Sequence, residues 1–121
     1  MFSKYRATKV TYNGIKFDSK LEANIYKKMV ELGVKPMLQV RYPLQPKFRC
    51  EGTSHREIEY RADFVINING CDYILDAKGM ETPEFKIKKK LFAYKYAKNI
   101  ITIPSIKKFV EWYNNVLGNK K

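Results

Sequence analysis

A chain of 121 residues fits one domain and leaves little room for a second, and 45% hydrophobic residues exclude a disordered tail. Because no apolar run approaches the ~20 residues of a membrane helix and no secretion signal opens the chain, we expect a cytoplasmic protein. The formal net charge of +12 is typical of a domain that meets nucleic acid. One histidine and two distant cysteines are too few for a His/Cys zinc site. We expect a single domain over 1–121, with frayed ends at about 1–7 and 118–121.

The first half of the chain is predicted to combine strands with one helix. Asn13-Gly14 lies between strand-like residues, as in a two-residue hairpin turn. Ser19 and Glu22 fit a capping box at the start of a helix, and Gly33 is a suitable stop. The predicted elements are a hairpin over 11–17, a helix over 19–32, strands over 37–42 and 47–51 broken by Pro43 and Pro46, and a loop over 52–55.

The second half is predicted to alternate strands and helices. Asn69-Gly70 indicates another hairpin turn, and Pro83 suits the first turn of a helix. The predicted elements are strands over 58–68 and 72–77, a helix from Pro83 to about Lys98, a short buried strand over 99–103, and a last helix to about Leu117. This order predicts an α/β fold, a mixed β-sheet flanked by α-helices.

Two carboxylates meet on the second predicted hairpin. A two-residue turn at Asn69-Gly70 fixes a register in which Asp63 falls opposite Asp76, with Cβ atoms ~5 Å apart. Lys78 lies two residues past Asp76 and so points to the same face. Opposed like charges on an apolar hairpin cost stability and are typical of functional sites. The alternative is a surface Asp-Asp-Lys cluster without a role, and slippage by one residue would separate the two carboxylates.

Glu22 falls inside the apolar arc of the first predicted helix. The arc comprises Leu21, Ala23, Ile25, Tyr26, Met29, Val30 and Leu32. A carboxylate on the buried side of a helix needs a partner, and the capping box with Ser19 is the alternative explanation. Together with Asp63 and Asp76 it would offer the hard oxygen ligands that suit Mg²⁺ or Mn²⁺. Lys78 would position a water or neutralise charge in the transition state.

These residues resemble the active-site pattern of the PD-(D/E)XK nuclease superfamily, in which a helix supplies Glu, one strand Asp and the next (D/E)-x-K. The matching segments are 17–22 (FDSKLE), 60–64 (YRADF) and 74–79 (ILDAKG), and the resemblance covers about residues 5–98. They are similar to short phage-encoded endonucleases, to TnsA-type transposon endonucleases and, more distantly, to Holliday-junction resolvases. Ala62 stands where many relatives have Pro, and Asp76 where Glu is more common.

The resemblance implies a restriction-endonuclease-like fold and a Mg²⁺- or Mn²⁺-dependent endodeoxyribonuclease. Its catalytic residues would be Glu22, Asp63, Asp76 and Lys78, and the first three of these would bind the metal. Gln39 and Gln45 lie in strands where relatives often carry a supporting Gln; an ordinary strand Gln is the alternative. A phage-encoded enzyme of this kind would act in the bacterial host cytoplasm, on branched or replicating DNA.

The predicted second helix carries a dense set of cations. The candidate DNA contacts are Lys86, Lys88, Lys89, Lys90 and Lys95; a solvated lysine face is the alternative. This helix has two apolar stripes, one of Ile87, Leu91 and Tyr94 and the other of Phe85, Phe92 and Tyr96. Two stripes imply cover on both sides, so a homodimer is a further hypothesis. The alternatives for the whole chain are an inactive DNA-binding module of the same fold and a basic RNA-binding protein.

Overall fold

The computed structural model describes residues 9–118, and these divide into two compact units. Unit 1 contains residues up to Lys35, the short segment Ala77–Gly79 and the residues from Ile103 onward. Unit 2 contains Pro36–Asp76 and Met80–Thr102. Of the expected frayed ends, residues 1–7 and 119–121 lie outside the described residues.

The described residues form eight strands and three helices. In chain order they are β1 Val10–Tyr12, β2 Ile15–Phe17, α1 Lys20–Glu31, β3 Met37–Gln45, β4 Phe48–Cys50, β5 Thr53–His55, β6 Ile58–Ile68, β7 Cys71–Ala77, α2 Pro83–Tyr96, β8 Ile101–Ile103 and α3 Ile106–Gly118. The predicted order of elements is confirmed except for β5.

In unit 1, the hairpin of β1 and β2 packs with α1, which also contacts α3. Asn13 and Gly14 adopt φ of 52° and 77°, the left-handed pair that a tight hairpin turn requires. The Ser19 hydroxyl accepts the N–H of Glu22 at 3.1 Å and caps α1. At the other end Gly33 has φ of 78° and donates to the carbonyl of Val30, as expected of a helix stop.

In unit 2, a four-stranded sheet has the order β3-β6-β7-β8. β3 and β7 both run antiparallel to β6. The chain passes from β7 to its neighbour β8 through α2, the type of helical connection that joins neighbouring parallel strands. Thr82 caps α2 by accepting the N–H of Phe85 at 3.1 Å, with Pro83 in the first turn as predicted. α2 packs on β3 and β6. The core cluster there comprises Tyr60, Ala62, Val65, Ile74, Phe85, Phe92 and Ile100.

Two predicted details of unit 2 are wrong. β3 continues through Pro43, which pairs in register with Glu59. Proline is tolerated at this position because β3 is an edge strand, where a backbone N–H that points away from the sheet is not needed for hydrogen bonding between strands. Residues 53–55 form β5 rather than a loop, and β5 pairs with β4 across a turn at Glu51-Gly52, where φ is 49° and 80°. We refer to β4, β5 and this turn as the exposed hairpin, because all their residues are exposed.

The fold is thus mixed α/β, with a mixed multistranded sheet and helices, as expected from the sequence. Among residues 9–118, no helix combines the length and the apolar character needed to cross a membrane.

Candidate functional site

The hairpin of β6 and β7, which we call the sheet hairpin, has the predicted register. Asn69 and Gly70 adopt φ of 53° and 85°, and the strands pair from Ile68–Cys71 to Phe64–Leu75. The Asn67 side-chain amide donates to Asp72 Oδ1 at 2.8 Å, and the Asn67 side-chain oxygen accepts the N–H of Gly70 at 3.2 Å, which fixes the turn. Continued by one position, this register would place Asp63 opposite Asp76; the paired ladder itself ends at Phe64–Leu75, so their opposition stays a prediction.

The backbone around Asp63 departs from regular strand geometry. On β3, Leu38 pairs with Phe64 and Val40 with Ala62, so Gln39 occupies the position facing Asp63. Gln39 has φ of 52°, a left-handed conformation that is rare inside a strand. Ala62 and Val65 belong to one core cluster although strict alternation would put them on opposite faces, so the alternation of β6 is interrupted between them. Such irregularities re-aim side chains and are common beside functional sites.

Asp76 is a buried carboxylate with a buried hydroxyl partner. It is 3% exposed, and the Tyr60 hydroxyl donates to its Oδ2 at 2.6 Å. Burial raises the pKa of Tyr60 far above its usual range, and the negative charge of Asp76, its hydrogen bond and the charge of Asp63 raise it further. The phenol therefore stays protonated and acts as a donor. Both aspartates are thus close enough to Tyr60 to act on it electrostatically.

Tyr60 is the site residue that the sequence reasoning missed. Its ring centroid lies 5.6 Å from that of Phe92, 6.3 Å from Phe85 and 6.4 Å from Tyr42, so packing in the core fixes where the hydroxyl points. One signal was available: a buried tyrosine hydroxyl usually finds a polar partner, and the strand that carries Tyr60 also carries Asp63. The diagonal contact to Asp76 does not follow from register alone.

Glu22 lies in the first turn of α1, in unit 1. It is 3% exposed, on the same buried side as Ala23, Ile25 and Met29, which confirms its place in the apolar arc. Its Oε1 accepts the N–H of Asp18 at 3.3 Å, and its charge is favourable at a helix N-terminus. The arc itself is narrower than predicted. Val30 and Leu32 are 43% and 41% exposed, whereas Met29 in the same turn is fully buried.

Lys78 follows the last residue of β7 and belongs to unit 1. Its backbone N–H donates to the carbonyl of Ile103 at 3.1 Å, and the residue is half-buried. The chain therefore holds the Lys78 backbone in an ordered position two residues beyond Asp76.

Asp63 and Asp76 both lie within electrostatic reach of Tyr60. Across residues 9–118, no set of three or more His, Cys, Asp and Glu side chains is arranged to hold a metal ion. Asp63 and Asp76 lie on neighbouring strands of unit 2, whereas Glu22 of unit 1 as a third ligand stays a prediction. Gln45 pairs with Ile58 at the far end of β3, five residues or roughly 16 Å along β6 from Asp63, so of the two glutamines only Gln39 faces the pair.

The five lysines of α2 fall into two groups. Lys88 pairs with Glu84 at 3.3 Å, and Lys89 pairs with Glu81 at 2.9 Å. The hydrogen bond from Lys89 lowers the pKa of Glu81. These two lysines are thus paired with acids of the chain itself, and their assignment as DNA contacts stays a prediction. The remaining candidates are exposed: Lys86, Lys90 and Lys95.

The two apolar stripes of α2 have different surroundings. Phe85 and Phe92 are buried in the core. Ile87, Leu91 and Tyr94 are 60%, 37% and 91% exposed. Ile87 and Leu91 line an open groove of about 470 Å³ whose rim carries Glu57, Glu59 and Glu84. The predicted homodimer would bury this stripe, and it stays a prediction.

Comparison with known proteins identifies the family of the chain. The family model described as "Protein of unknown function (DUF1064)" matches residues 2–111. No curated protein and no solved structure matches the chain.

Proposed function

Because the chain belongs to the DUF1064 family, whose function is unknown, we propose an activity from its own residues: a metal-dependent endodeoxyribonuclease with a restriction-endonuclease-like fold. The observation that carries this proposal is the carboxylate pair of Asp63 and Asp76 on neighbouring strands of a chain with a net charge of +12. A basic surface attracts a polyanion, and two neighbouring carboxylates within it would repel that polyanion unless a cation intervened.

The donor set fits Mg²⁺ or Mn²⁺. Mg²⁺ is commonly held by one or two carboxylates together with waters and substrate phosphates, so Asp63 and Asp76 satisfy this requirement without a third protein ligand. The resemblance to PD-(D/E)XK nucleases adds Glu22 as a further ligand. When bound, the ion would supply Lewis-acid stabilisation of the phosphate and a bound water of lowered pKa.

The residues around the pair have separable tasks. Tyr60 donates to one oxygen of Asp76 and so fixes the direction of this carboxylate, as partners of metal ligands do. Gln39 lies between the residues of β3 that pair with the two neighbours of Asp63, and it would orient a ligand or a phosphate oxygen. Lys78 would hold the attacking water or offset negative charge in the transition state.

An inactive DNA-binding module of the same fold is the second candidate. The observation that favours it is that, among the described residues, no group of three or more potential metal ligands is assembled. In that case the net charge of +12 would still give phosphate binding, while Asp63 and Asp76 would have only a structural role.

Nicking of supercoiled plasmid separates the two candidates. We expect cutting with Mg²⁺, none with EDTA and none by Asp76→Asn. Asp72→Asn is the matched control, because Asp72 lies on the same strand but accepts from Asn67 at the turn end, and it should cut at the parent rate. Cutting that persists in Asp76→Asn would refute the proposal. A parent chain that binds duplex, single-stranded, flap and four-way-junction DNA yet cuts none would establish the inactive module.

A further inference from the structure

The exposed hairpin has almost no packing partner of its own. Every residue of β4, β5 and the Glu51-Gly52 turn is exposed, and within the described residues neither strand packs extensively on another helix or strand. An isolated two-stranded hairpin is only marginally stable in water. Local devices hold this one: the left-handed turn, the donation from Arg49 Nη2 to the Gly52 carbonyl at 2.8 Å, and the stack of Phe48 on His55.

The register sorts its side chains into two different faces. Phe48 pairs with His55 and Cys50 with Thr53, and the rings of Phe48 and His55 stack at 4.7 Å with an interplanar angle of 14°. Arg49 pairs with Ser54, on the opposite face. Lys47 and Arg56 directly precede β4 and follow β5, and if the same register continued by one position they would lie on the Arg49 side. This basic face comprises Lys47, Arg49, Ser54 and Arg56, and none of its members is acidic.

We infer that the exposed hairpin enters the major groove of duplex DNA, with the basic face against the phosphates. The choice of DNA rests on the proposed function. The major groove, ~12 Å wide, admits a two-stranded ribbon, and cations on one face with polar and aromatic groups on the other suit phosphates and base edges. An arm that is held only by local contacts gains further stability from a partner, which is consistent with the exposure of this region throughout.

The test measures DNA binding in EDTA, so that it does not depend on cutting. Fluorescence anisotropy with a labelled 30-base-pair duplex compares the parent with the triple variant Lys47→Ser/Arg49→Ser/Arg56→Ser. The control, Lys16→Ser/Lys35→Ser/Lys107→Ser, removes the same charge from exposed positions of unit 1. Circular dichroism checks that both variants fold.

Three lost phosphate contacts should reduce the slope of log K against log salt by about 2.7 and weaken binding on the order of 100-fold near 0.15 M salt. The control should keep most of the parent affinity. Equal losses in the two triple variants, or parent affinity in the hairpin variant, would overturn the inference.

A duplex of RNA tests entry into the groove itself. The major groove of A-form RNA is too deep and narrow for a ribbon, so the hairpin substitutions should cost much less affinity on RNA than on DNA. A loss of the same size on both duplexes would mean that the hairpin supplies charge alone, and groove entry would be wrong. Because none of these readings needs cleavage, a failure of the nuclease proposal would appear separately, in the plasmid assay.

Discussion

The two hairpins of unit 2 close on the same kind of turn but have different surroundings. Both the sheet hairpin and the exposed hairpin close on two left-handed residues ending in Gly, at Asn69-Gly70 and Glu51-Gly52. The sheet hairpin is built into the four-stranded sheet, and there Asp76 is buried and both Asp63 and Asp76 act electrostatically on Tyr60. The exposed hairpin lies outside that sheet and carries cations. Similar turn geometry would therefore serve the proposed metal site in one case and, as we infer, a contact arm in the other.

Replacing an aromatic ring by alanine should lower the free energy of unfolding much more beside the sheet hairpin than on the exposed hairpin. Phe92 is 1% exposed and packs on the rings of Tyr60, Tyr42 and Tyr96, beneath the sheet. Phe92→Ala should lower the free energy of unfolding by about 3–5 kcal/mol. Phe48→Ala, on the exposed hairpin, should cost about 1 kcal/mol or less. Urea denaturation measures both, and equal losses would show that the exposed hairpin is part of the core.

The cation that follows each hairpin should act on a different step of the reaction. Lys78→Ala should reduce the rate of cutting at saturating DNA by roughly 100- to 1000-fold, as expected for loss of a group that stabilises transition-state charge, and leave Mn²⁺ binding intact. Arg56→Ala should weaken DNA binding and leave the rate at saturating DNA unchanged. Single-turnover cleavage over a range of protein concentrations distinguishes these effects. Loss of Mn²⁺ affinity in Lys78→Ala would contradict its assigned role.

Tyr60→Phe should affect the carboxylate pair without disturbing the packing. It removes only the hydroxyl that donates to Asp76 at 2.6 Å, so we expect a loss of roughly 10- to 100-fold in Mn²⁺ affinity and in cutting. Tyr94→Phe is the control, since Tyr94 is 91% exposed on α2. Parent Mn²⁺ affinity in a folded Tyr60→Phe would mean that the hydrogen bond is only structural.

The two turn glycines offer the smallest and most closely matched pair of substitutions. Gly70 and Gly52 have φ of 85° and 80°, and a Cβ at either would meet no atom within 4 Å, so Ala imposes only the backbone cost of about 1 kcal/mol. Gly70→Ala should lower global stability by that amount, because the sheet depends on its register. Gly52→Ala should accelerate amide exchange in β4 and β5 alone. A global effect of Gly52→Ala would show that the hairpins are coupled.

The contrast between local turn chemistry and tertiary packing explains which features could be predicted from the sequence. Asn69-Gly70 predicted the register of the sheet hairpin because turn chemistry is local, and Ser19, Gly33 and Pro83 predicted helix ends for the same reason. β5 was missed because Thr53-Ser54-His55 has neither the apolar pattern nor the burial of an ordinary strand.

Features set by tertiary structure could not be predicted from the sequence. The left-handed φ of Gln39 and the contact from Tyr60 to Asp76 depend on how three strands meet. The pairing of Lys89 with Glu81, eight residues away, is not a helical spacing and was therefore not predicted. Whether Glu22 completes the site likewise depends on long-range packing, and it stays a prediction.

Direct titration with Mn²⁺ tests the central claim, that Asp63 and Asp76 together bind a divalent cation. Calorimetry on the full chain without DNA should detect binding to the parent and to Asp72→Asn. Asp63→Asn and Asp76→Asn, shown to be folded, should each lose more than the roughly 100-fold that loss of a supporting partner costs. Parent-like Mn²⁺ affinity in either variant would contradict the account.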